Sequence, residues 1–217
     1  FFAKGVADAV ASAGNNKVLV TNASGNLTPL SIGSASQVLK VNSGANGFEF
    51  GTDAGGGVKQ VKSARQDAIE SWTGDGQLVG PTATITPTSA SNKILVMVQA
   101  TFANSSDTAT GSVGLKYGTG NTLNSGGTIV GGGASAGSRS QAIGWAGSSY
   151  QNWNAMNLGY HILHNPATTS QISYRIFHQS HDGGTMYLGR TGRDSNDADH
   201  PRVDTNLTLM EIDSGVL

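Results

Sequence analysis

Apolar and polar residues alternate with a period of two along much of this chain, and the longest apolar run is Asn92 to Phe102, NKILVMVQATF. Ile94, Val96, Val98 and Ala100 share one parity while Leu95 and Met97 take the other, the pattern of a strand covered on both faces for most of its length. TNLTLMEI, Thr205 to Ile212, complements it near the C-terminus, with Leu207, Leu209 and Glu211 on one parity and Thr208, Met210 and Ile212 on the other. Val113, Leu115 and Tyr117 give a clean strand face, and shorter strands are predicted at 58–63, 68–72, 78–85 and 185–188. The first of these carries Lys among its valines, as edge strands do. Ala142, Gly144 and Ala146 flank Ile143 and Trp145, which predicts a strand with one heavily loaded face. Segments 157–163 and 171–177 read as a hairpin pair joined through the Asn165-Pro166 turn.

Short strands of similar spacing, separated by Gly, Asn and Pro turns and with no long helix, predict an all-β chain. Residues 58–217 are expected to form a β-sandwich or jelly-roll-like domain. Residues 1–57 read differently, as an extended, partly repetitive arm. Phe2, Val6, Ala9 and Ala13 fall at helical spacing before Gly14-Asn15-Asn16, which fits a short helix or an ordered linker. Val18-Leu19-Val20-Thr21-Asn22 then returns twenty positions on as Val38-Leu39-Lys40-Val41-Asn42. Each copy is a short strand running into a polar, Gly-containing turn, after which apolar residues resume at 27–30 and 48–50. Such a unit cannot bury its apolar face alone and gains a core by stacking on neighbours. Two repeats without a disulfide rarely make an independent core, so the arm is expected to be completed by other copies, most simply in a homotrimer. Gly55-Gly56-Gly57 marks the boundary, because consecutive glycines impose little conformational preference.

Composition narrows the functional classes. Only 12% of the 217 residues are charged and 31 are Gly, where soluble proteins usually carry roughly 25% charged residues and half as much Gly. A net charge of -1 offers phosphates little to pair with, so nucleic acid is not an expected partner. No apolar run reaches the ~18 residues of a membrane span, and membrane insertion is not expected. The absence of cysteine removes disulfides, thiolate nucleophiles and thiolate-bound zinc together.

The candidate chemistry is sparse. His161, His164, His178, His181 and His200 match no compact metal motif, and ordinary loop and edge histidines are the expected reading. RDSNDADHPR, Arg193 to Arg202, lacks the central Gly and final Glu of a calcium loop. Its Asp and Asn are read as turn formers, with Arg190, Arg193 and Arg202 as pairing partners. No GxSxG presents a serine nucleophile, and Asp67, Glu70 and Asp75 near Trp72 show no spacing that favours glycan hydrolysis over solvated turns. The expectation is therefore no enzymatic activity, no cofactor and no metal. The candidate binding residues are Trp145, Tyr150, Gln151, Asn152, Trp153 and Asn154, in a polar stretch rich in Gly and Ser. There an aromatic face can stack on a sugar while amides bind its hydroxyls. The competing reading places Trp145 and Trp153 in the core or a subunit interface.

Three phrases carry a resemblance: ITPTSASNKILVMV at 85–98, GYHILHNPATTSQISYRIF at 159–177 and NLTLMEI at 206–212. With KVLVTNASGNLTPLSIGSASQVLKVNSGANGFEF at 17–50, they resemble domains at the ends of bacteriophage fibre and tail-associated proteins and the segments ahead of them. The resemblance implies a structural component located in the virion: a homotrimeric fibre or spike subunit with an attachment arm and a distal β-sandwich head. The arm would dock on other virion proteins, tail or capsid, and the head would contact a host-surface glycan or other receptor. The alternative it leaves open is a head fibre, capsid decoration or tail-collar protein with a purely architectural role.

Overall fold

Every strand pairing found among the described residues is antiparallel. The computed structural model describes Asp8, Ala11 and residues 14–52, 56–74, 76–105, 110–121, 123, 126–146 and 154–217. The helix expected over 2–13 thus falls largely outside the described residues, although Asp8 and Ala11 are both helical. The chain divides into two units, Phe1–Gly56 and Gly57–Leu217.

In the first unit, β1 (Lys17–Thr21) pairs with β2 (Leu27–Ser31), and β3 (Gln37–Val41) pairs with β4 (Phe48–Thr52). The repeat seen in the sequence is a repeat of conformation. Asn22 Oδ1 accepts from the backbone N–H of Ser24 and Asn26, both at 3.0 Å, and Asn42 Oδ1 accepts from the N–H of Asn46 at 3.2 Å. The bond to Ser24 makes an Asx turn at Asn22, and in both hairpins the asparagine amide oxygen also takes the N–H four residues on, across the turn. Gly25 and Ala45, at the same place in each turn, both take the left-handed conformation, with φ of 76° and 52°. The hairpins form two separate two-stranded sheets, and no described residue from 14 to 52 is buried.

The second unit is a β-sandwich. One sheet has six strands: β5 (Val58–Gln66), β15 (Thr205–Ile212), β8 (Lys93–Asn104), β14 (Thr185–Leu188) and β6 (Glu70–Thr73) in that order, with β12 (Met156–His164) also on β8. The other has five: β10 (Thr128–Ile129), β9 (Gly111–Thr119), β13 (Ile172–Ser180) and β7 (Gln77–Ile85), with β11 (Gly144–Ala146) also on β9. Ile94, Val96, Val98, Ala100 and Phe102 of β8 are buried together with Leu207 and Leu209 of β15. They share one core with Ile85, Leu115, Ile172, Tyr174 and Ile176 from the opposite sheet. Full burial of each larger aliphatic or aromatic side chain contributes about 1.5–3 kcal/mol. The central strand expected from NKILVMVQATF does organise the head, with its even-numbered side chains inward.

One local expectation, the hairpin, is corrected. Segments 157–163 and 171–177 belong to different sheets, with β12 on β8 and β13 between β7 and β9. The linker 165–171 is long enough to cross the ~10 Å between packed sheets. Both strands contribute side chains to the one core, and His164 Nδ1 meets Tyr174 Oη at 2.7 Å. The two large residues of the stretch around β11 divide: Ile143, just ahead of the strand, packs against the core, and Trp145 within it is exposed. A side chain at Gly144 would reach within 3.1 Å of Leu158 and Val113, so glycine lets this strand lie directly on the core. Trp145 then points away from it and is 57% exposed.

Candidate functional site

Trp145 is placed by backbone pairing. β11 lies on β9 with Trp145 opposite Ser112, and β13 lies on the other side of β9 with Gln179 opposite the same Ser112. The neighbouring positions Val113 and His178 are buried in the sandwich, so alternation sends Trp145, Ser112 and Gln179 to the outer face. Ser112 Oγ is 3.1 Å from His181 Nε2. The result is a transverse row in which the indole is exposed, the amide is half-buried, and the Ser112 hydroxyl between them is buried and held by the imidazole. Farther along the same face, Phe177 lies over Gly114, and Lys116 Nζ sits 4.8 Å from the ring centroid. A flat exposed ring beside a few hydrogen-bonding groups can stack on a sugar or another planar group.

Of the residues singled out in the sequence, Asn154 is exposed just ahead of β12. Tyr150, Gln151, Asn152 and Trp153 lie outside the described residues. Ser112 and Gln179 were not signalled by the sequence, where His181 reads as an ordinary loop or edge histidine. Nothing marks them locally, because the row exists only through pairing between distant strands.

The histidines are dispersed. His161 faces outward opposite Met97, and His200 Nδ1 meets Thr191 Oγ1 at 3.0 Å. His178 is buried with its ring edge-on to Trp72 at 4.8 Å, and neither nitrogen meets a hydrogen-bond partner among the described residues. Burial, with the like charge of His181 adding to it, lowers the His178 pKa to about 3, so the ring is neutral in the fold. Among the described residues, no three His, Asp or Glu converge as metal ligands would.

The carboxylates are engaged in structural contacts. Glu70 accepts from Gln66 Nε2 at 2.8 Å and from the Gly80 N–H at 3.1 Å. Asp194 pairs with Arg202 at 3.2 Å and lies 3.7 Å from Arg190. Asp204 pairs with Arg65 at 2.6 Å. Glu211 is fully buried and accepts only from neutral groups: Gln60 Nε2, the Thr88 N–H and Asn92 Nδ2 at 2.7 Å each, and Thr88 Oγ1 at 2.8 Å. One signal for this cage was present in the sequence. Glu211 shares the inward parity of Leu207 and Leu209, and a carboxylate there needs donors.

What the fold defines is an antiparallel β-sandwich with two appended hairpins. No family model and no curated protein matches the chain. Among solved structures it is similar to the VP2 subviral particle of infectious bursal disease virus, at 10% identity over 82% of this chain and 46% of that one, with a TM-score of 0.34. It is also similar to the structure of infectious bursal disease virus, Gx strain, at 12% identity over 88% of this chain and 44% of that one, again with a TM-score of 0.34. The chain spans less than half the length of either. A likeness at that score assigns no role to any residue here.

These findings correct the resemblance to bacteriophage fibre and tail-associated proteins. No family model and no curated protein supports it, and the structures named are of infectious bursal disease virus. There is a physical reason that the phrases misled. ITPTSASN closes a turn on Glu211 through Thr88 and Asn92, NLTLMEI supplies that glutamate, and the remaining apolar alternation fills a sandwich core. Such needs belong to sandwich packing in general and identify no lineage.

Proposed function

We propose that this chain is an architectural subunit of a virus particle, and not an enzyme. Its sandwich is a self-sufficient head, and its arm is the part that joins subunits, in a homotrimer. The structures named above are of a virus and a subviral particle, and this reading puts the chain in the same kind of setting. One observation carries the proposal. The arm has complete hairpin pairing yet buries none of its described residues, whereas the head contains a closed core. A segment with ordered strands and no core of its own is built to be completed by others. The test is the native mass of the full chain across a range of concentrations. A discrete oligomer, with three copies expected, supports the reading, and a chain that stays monomeric at every concentration overturns it.

A second reading is favoured by the outer position of Trp145, 57% exposed on β11. In it the outer sheet face of the head contacts a surface glycan, the exposed indole stacking and the half-buried Gln179 binding a hydroxyl. Glycan binding by the full chain, lost on Trp145→Ala with the native mass unchanged, is the expected result. Equal binding by both chains removes it.

A further inference from the structure

The two hairpins of the arm present the same face twice. In the second hairpin, Leu39 lies opposite Phe50 and Val41 opposite Phe48, so these four side chains share one side of the ribbon. Leu39 is 44%, Val41 57% and Phe48 51% exposed. The other side carries Val38 with the ion pair Lys40–Glu49 at 3.4 Å. In the first hairpin the equivalent positions are Leu19 opposite Pro29 and Thr21 opposite Leu27. The shared face is therefore apolar at all four of these positions in the second hairpin and at three of four in the first, where Thr21 is the exception. It is free of charge apart from Lys17 at its end, and its first strands recur with the twenty-residue period of the sequence.

We infer that this face is occupied by the same face of other copies of this chain, packed in register around a common axis. The inference rests on the proposed assembly and says which surface makes it. What covers the face must be apolar, uncharged along its length and repeated at the same spacing. A second copy of the arm has all three properties by construction. Closed cyclic symmetry sets the register, because copies related by rotation keep each residue at the level of its equivalents, while a slip by one repeat generates an open stack. In register, the Phe48 and Phe50 level of one copy meets the Phe48 and Phe50 level of the next. A slip would set it against the smaller Leu27 and Pro29 level and leave one repeat uncovered. The Lys40–Glu49 side remains toward solvent, where an exposed ion pair contributes little and costs nothing to keep.

The chain contains no cysteine, which makes disulfide mapping clean. Full-length Leu39→Cys, mildly oxidised, is expected to give majority cross-linking between copies, and Lys40→Cys little. Mixed, size-tagged Leu19→Cys and Leu39→Cys chains are expected to cross-link 19 to 19 and 39 to 39. Cross-linking of 19 to 39 overturns the register. Cross-linking through Lys40→Cys and not Leu39→Cys overturns the face, even though an unchanged oligomer mass leaves the assembly standing. A second variant guards against poor folding. Val41→Lys puts like charges on the proposed contact at a position already 57% exposed, and the oligomer is expected to dissociate at concentrations at least tenfold higher than before. An unaltered dissociation curve for Val41→Lys overturns the inference, and a monomeric parent chain defeats both it and the assembly it rests on.

Discussion

Asn92 Nδ2 donates to Glu211 Oε1 at 2.7 Å, joining residues 119 positions apart through a carboxylate that no cation among the described residues touches. The same asparagine accepts from the Ser214 N–H at 3.1 Å, and Gln60 Nε2 donates both to Glu211 and to the Thr86 carbonyl at 2.6 Å. The turn before β8, the edge strand β5 and the end of β15 are thus tied at one buried point. A buried charge is tolerated when its lone pairs are met, and becomes costly as soon as one donor is lost.

Glu211→Gln keeps the shape but turns an amide N–H toward groups that already donate. Stability is expected to fall by about 1–3 kcal/mol, read as a lower urea midpoint at an unchanged slope. Burial pushes the Glu211 carboxyl up, and the hydrogen bonds from Gln60, Asn92 and Thr88 outweigh it, leaving the group below its ordinary value of 4.5. With the folded value depressed, its contribution is present above 4.5 and is lost as pH falls through the folded value. Glu211→Gln should therefore flatten the acid limb below pH 4.5. An unchanged midpoint in the variant would show that the cage carries no stability.

His178 acts in a higher pH window. Its pKa moves from 6.5 in the unfolded chain to about 3 in the fold, so the unfolded state binds the proton first. The neutral ring's contribution is complete above about pH 6.5 and declines as pH falls toward 3. The penalty grows to the order of 3 kcal/mol after allowance for screening. His178→Phe, which keeps a ring against Trp72, is expected to remove most of the loss between pH 6.5 and 4.5 seen in parallel urea titrations. If parent and variant lose stability in parallel over that range, the buried imidazole is not its source.

How far the sequence showed this arrangement depends on what kind of signal each part leaves. The β8 strand was legible as an apolar run, but with Leu95 and Met97 as apolar as their neighbours it reads as covered on both faces. The fold instead buries Ile94, Val96, Val98 and Ala100 and leaves Leu95 and Met97 half-buried. The arm repeat was legible as strand and turn, since Asn and Gly mark the turn locally, while the bonds that Asn22 and Asn42 make across it were not. Sheet membership of β12 and β13 was not, because a short polar linker looks the same whether it turns back or crosses between sheets. The row through Trp145, Ser112 and Gln179 was equally hidden, being a product of register between strands far apart in sequence. Lineage was least legible of all, since packing needs and ancestry write the same letters in a sandwich strand.

Gly114 shows how tightly the outer face of that sheet is packed. A methyl group there would overlap the ring of Phe177, which is 2% exposed although its position faces away from the core. Gly114→Ala is expected to cost about 1–3 kcal/mol by overpacking. Phe177→Leu should recover part of this in a double-mutant cycle, because residues in contact couple. Additive effects in the urea midpoints would mean that the strain is relieved elsewhere.

Trp145 makes the opposite prediction on the same sheet. An indole more than half exposed contributes little burial, so Trp145→Ala is expected to change stability by no more than about 0.5 kcal/mol. Its neighbour Gly144 differs. A methyl there meets Leu158 and Val113 at 3.1 Å and Phe102 at 3.4 Å, so Gly144→Ala should destabilise the head measurably while leaving Trp145 in place. Stability and ligand contact are thereby separable at adjacent positions, one facing in and one facing out. Thermal melts of both variants decide the matter: a large loss for Trp145→Ala would place the indole in a packed interface and remove it as a free contact surface.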